Sequence, residues 1–216
     1  MDASGPGLGA CREHGPAGTV ARRDRSVAAA FDLSYRHLTA QQQQLFRRLG
    51  LQLGPDIDSY AAAALDATTL ADARRSLEAL YDRHLITEPM PGRYLLHDLL
   101  RAHARSLATG DDPAACQAAI TRLLDYYVHT ALAAARRLPG APARGPAAPG
   151  GSPGHAPALA TEAEAAAWLA AERSNLLAAA AHAALTGRRV PAYLIPAALA
   201  GVDDAWGDHW DQVLAQ

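Results

Sequence analysis

Apolar residues recur along most of this chain at the three-to-four spacing of a helix, and one stretch breaks that rule. From Leu85 to Leu96 the sequence reads "LITEPMPGRYLL", two short runs of strand formers around a Pro/Gly turn. A lone hairpin cannot stand by itself in water, so it must pack among the helices on either side of it. The expected fold is therefore mostly α, with strand confined to the turn region around Pro89 to Gly92.

Upstream of the hairpin, Val27, Phe31, Ser34, Tyr35 and Leu38 fall at helical spacing. Thr39 with Gln42 three residues on forms a capping box before a helix carrying Leu45, Phe46 and Leu49, and "GLQLGPDID" ends that helix. A short Ala-rich helix runs from Ser59 to about Leu65. Thr69 with Asp72 then caps a helix whose Leu70, Ala73, Leu77, Leu80 and Tyr81 share one face. Downstream, a helix begins at Asp98 and carries Leu99, Leu100, His103 and Leu107. Helices, a hairpin and a closing helix, in that order, predict a winged-helix domain over residues 25–108, behind a Gly/Pro-rich tail at 1–24 expected to be disordered.

A connecting helix is expected within 109–138, starting at Pro113 and turning Ile120, Leu123, Leu124, Tyr127 and Leu132 to one side. So many Pro and Gly residues fill 139–160 that neither regular period survives, which reads as a linker. Thr161 and Glu164 cap the next helix, with Trp168, Leu169, Leu176 and Leu177 as its core. "PAYLIPAALA" and "GDHWDQVLAQ" supply further helical pieces, and Trp206 and Trp210 fall four apart. Residues 161–216 thus predict a tetratricopeptide-like helical module, cut off as the array begins.

All 20 basic residues are Arg, and no Lys occurs. A Walker A loop needs a Lys for the nucleotide phosphates and Schiff-base chemistry needs an amine, so neither reaction belongs to this chain. No catalytic triad, carboxylate pair or metal-ligand spacing stands out, and Cys11 and Cys116 lie far apart. The chain is expected not to be an enzyme and to hold no metal or cofactor of its own. Charged residues or Pro interrupt each apolar run, and no leader-like stretch opens the chain, so a cytoplasmic protein without membrane contact is expected.

The segments "FDLSYRHLTAQQQQLFRRLG" through "RYLLHDLLRAHA", and later "AAWLAAERSNLLAAAAHAA", resemble actinobacterial regulators of the NB-ARC (STAND) ATPase class, in the winged helix that follows the nucleotide-binding domain and at the entry to tetratricopeptide-like repeats. The resemblance implies that His97 contacts the β-phosphate of ADP and that Asp98 supports the helix start. An imidazole at a helix N-terminus suits an anion. The nucleotide-binding domain has no counterpart here, so ADP or ATP is expected only where a protein partner supplies that domain. Read without the resemblance, His97 and Asp98 simply end the hairpin and cap a helix.

The alternative function is a small DNA-binding transcription factor. The helix from Leu70 holds the slot of a recognition helix and carries Arg74, Arg75 and Arg83. Residues 20–108 carry 12 Arg against 10 Asp plus Glu, a balance of +2, and the whole chain sums to −2. A groove-binding face concentrates uncompensated cations, so docking to a protein partner is the preferred reading.

Overall fold

The computed structural model describes residues 31–139 and 153–206, the last six by backbone alone. The tail at 1–24, Val27, most of the linker and the "GDHWDQVLAQ" segment with Trp210 lie outside the described residues. Residues 31–36 are helical, with Arg36 paired to Asp32 at 3.9 Å and the His37 ring 2.7 Å from the Leu33 carbonyl.

From Leu38 onward the described residues form one compact unit. It is mostly helical with one small antiparallel sheet: α1 (Ala40–Leu49), α2 (Ser59–Asp66), α3 (Leu70–Asp82), β1 (Thr87–Met90), β2 (Arg93–Leu95), α4 (Asp98–Ala108), α5 (Pro113–Ala135), α6 (Glu162–Leu185) and α7 (Arg189–Trp206). Three helices, the hairpin and α4 form the winged helix; α5, α6 and α7 pack together beside it. Among the described residues no helix is long and apolar enough to cross a membrane.

The caps legible in the sequence are present. Gln42 N donates to Thr39 Oγ1 at 3.3 Å, while Thr39 N donates to Gln42 Oε1 at 2.9 Å. Thr161 and Glu164 repeat the arrangement, and the donors around the Glu164 carboxylate hold its pKa below the usual carboxylate range. Thr69 Oγ1 accepts from Asp72 N at 3.1 Å. Each cap satisfies N–H groups that a helix start otherwise leaves without partners.

Leu45, Phe46 and Leu49 of α1 are fully buried, as are Leu77 and Leu80 of α3. Burying a Leu or Phe side chain contributes about 1.5–3 kcal/mol, and Ile57, Leu65, Leu85, Ile86 and Leu96 complete the winged-helix core. Gly50 permits the close approach that follows: a Cβ there would lie 2.6 Å from Arg105 N and 2.7 Å from the Ala104 carbonyl carbon. α1 and α4 therefore meet backbone to backbone.

In the hairpin, Thr87 pairs with Leu95 and Met90 with Arg93. β1 starts two residues later than "LITE" suggests and runs through Pro89 and Met90; Gly92, at φ +75°, closes the turn and donates to Glu88 Oε1 at 2.6 Å. A third backbone element, missed in the sequence, joins this sheet: Ile57 and Tyr94 exchange hydrogen bonds at 2.9 Å each way. The loop bearing Ile57 is tied down by α4, since Arg105 donates to the Gly50 carbonyl and Arg101 to those of Gly54 and Pro55.

Three predicted core positions lie elsewhere. Tyr81 is 46% exposed, Leu99 59% and Leu177 49%. Each sits next in sequence to a buried Leu (Leu80, Leu100, Leu176), and successive helical residues point about 100° apart, so a narrow contact face takes one of the two. The connecting helix ends at Ala135, three residues before Leu138, and Leu138 is buried beyond its end.

Candidate functional site

After β2 the chain passes from the core to the surface as it enters α4. Leu96 is buried at 2% exposure, His97 and Asp98 face solvent, and Leu100 returns to the core. His97 is the N-cap of α4, with φ −62° and ψ 151°; its carbonyl accepts from Arg101 N at 2.8 Å, and its ring makes no capping bond. Asp98 occupies the first turn, where a carboxylate complements the positive helix end. The junction therefore presents an imidazole and a helix N-terminus to solvent. That arrangement can meet an anion carried by another molecule, and it leaves the hairpin intact.

Arg74, Arg75 and Arg83 are also exposed, on and just beyond α3. Arg75 pairs with Asp72, and Arg74 donates to Ser59 Oγ at 3.4 Å with its guanidinium 5.9 Å from the centre of the Tyr60 ring. Glu78 and Asp82 are exposed on the same helix. The surface of α3 is thus mixed in charge, which weakens its attraction for a phosphate backbone. Among the described residues no group of three or more His, Cys, Asp or Glu is arranged to hold a metal ion.

The strongest polar feature escaped the sequence reading. Arg93, buried on β2, donates one terminal nitrogen to Glu172 of α6 and the other to Asp56. Asn175, one turn beyond Glu172, bridges the same carboxylates, donating to Glu172 Oε2 at 2.8 Å and Asp56 Oδ1 at 2.9 Å. Gly54 provides the room: a Cβ on it would lie 2.8 Å from the Asn175 Cα. One signal was legible, because Glu172 and Asn175 fall in phase with the buried Trp168, Leu169, Leu176 and Ala179. A carboxylate and an amide on an apolar stripe call for buried partners.

Asp58 caps α2 by accepting from Ala61 N at 2.7 Å. Burial and the nearby Glu172 push its pKa up to about 6, against the lowering effect of the Ala61 N–H and of Arg93. A folded-state pKa above the unfolded value means that folding takes up a proton, so this group's favourable contribution at low pH is lost as pH rises through about 6. Asp58→Asn keeps the capping oxygen and removes the charge. Its stability relative to the parent chain should rise between about pH 5 and about pH 7 in urea titrations. A constant difference over that range would show that Asp58 is not the group that titrates.

Comparison with known proteins points to regulators. Over 113 residues, 50% of its length, the chain is 43% identical to Regulatory protein AfsR of Streptomyces coelicolor. Over 110 residues it is 46% identical to Regulatory protein AfsR of Streptomyces griseus. The chain spans 11% of the length of each. No family model matches the sequence, and no solved structure matches it.

Proposed function

We propose that this chain is a non-catalytic regulatory module: the winged-helix and repeat-entry part of an NB-ARC-type transcriptional regulator, which docks through the His97 face onto a nucleotide-binding domain. The proposed organisation is the winged helix at 25–108, the connecting helix within 109–138, the linker at 139–160 and the tetratricopeptide-like entry at 161–216. Similarity to the two AfsR regulatory proteins supports the regulatory role. The observation that carries the docking mode is the exposure of His97 beside the buried Leu96. ADP, held by the partner's domain, would present its phosphate to His97 with Asp98 at the helix start.

The test is association with a separately expressed NB-ARC nucleotide-binding domain, with and without ADP. His97→Ala should weaken the ADP-dependent part while costing about 0.5 kcal/mol or less in stability, as for ordinary surface changes. ADP-independent association that is indifferent to His97 would overturn the docking mode. Salt-dependent, sequence-specific gel retention abolished by Arg74→Ala/Arg75→Ala would favour the DNA-binding alternative.

A further inference from the structure

Asp56 stands before α2, Arg93 on β2, and Glu172 and Asn175 on α6; these four meet where α6 lies against the winged helix. We propose that this cluster is an orientation lock: it holds α6 in one register against the hairpin, so that the winged helix and the helical module open as a single cooperative unit. The lock rests on these contacts alone, whatever His97 binds.

α6 otherwise packs mainly on α5 and α7, Trp168 lying edge-on to the Tyr126 ring of α5 with centroids 6.5 Å apart, so its register against the hairpin falls to the polar contacts. The polar contacts are directional. Arg93 gives one nitrogen to each carboxylate, Asn175 bridges both, and Gly54 leaves space only where Asn175 now sits. Sliding α6 by one turn, about 5.4 Å, would part Glu172 from Arg93 and leave buried charges unpaired. Buried polar residues fix register in coiled coils for the same reason: the misaligned states are the ones they penalise.

Native-state hydrogen exchange on the full chain, followed over sub-denaturing urea, tests this. Amides of Leu100 and Ala104 in α4 and of Leu176 and Ala179 in α6 should converge on one opening reaction. In Arg93→Met/Glu172→Met, an apolar replacement of the pair that folds can tolerate, the α6 amides should exchange at least about tenfold faster than those of α4. Independent opening of α6 in the parent chain would overturn the lock, as would common opening retained in the folded double variant. Should that variant fail to fold, Glu172→Gln keeps the shape, removes one charge and must loosen α6 first; unchanged common opening there counts against the lock equally.

Discussion

Arg93→Ala should lower the unfolding free energy by about 3–5 kcal/mol at neutral pH, because it leaves buried carboxylates without their cation. Glu172 is 1% exposed, Asp56 is partly buried, and Asp58 adds a third acidic group that already feels Glu172. Without the guanidinium Glu172 and Asp56 lose its hydrogen bonds and their countercharge and keep only the Asn175 amide between them. Arg189, exposed at the start of α7, should lose under about 0.5 kcal/mol on the same substitution. Urea unfolding of the two variants checks the pair, and equal losses would mean that the carboxylates do not depend on Arg93.

Gly50→Val should cost about 3 kcal/mol, the upper end for overpacking, and for a purely steric reason. Gly50 has φ −62° and ψ −24°, a conformation open to any residue, so backbone strain contributes nothing. Its Cβ would meet main-chain atoms of Ala104 and Arg105, which cannot swing aside as a flexible side chain does. α4 would have to withdraw from α1, loosening Phe46 from the His103 ring, whose centroids lie 6.1 Å apart. Gly92→Ala gives the contrast: φ is +75° and nothing lies within 4 Å, so the loss there, about 1–2 kcal/mol, is conformational alone. Thermal unfolding of both variants checks the pair, and equal losses would contradict the steric account.

The exposure of His97 follows from the chain leaving β2, whose Arg93 and Tyr94 are both buried, and starting α4 at the surface. The caps at Thr39, Thr69 and Thr161 were legible because each cap and its partner sit three residues apart. Leu99 and Leu177 were misplaced because an apolar residue declares that it can be buried, while the width of the contact face decides whether it is.

Helix starts, the hairpin and the absence of Lys were determined by the sequence itself, through signals spanning a few residues or through composition. Only the tertiary structure decided that Arg93 meets Glu172 across 79 positions, that Asn175 reaches Asp56 across 119, and that Ile57 adds a third backbone element to the sheet. Periodicity records which side of an element is buried. It carries nothing about which distant element covers that side, because the covering contact depends on how whole helices pack and not on the spacing of residues within any one of them.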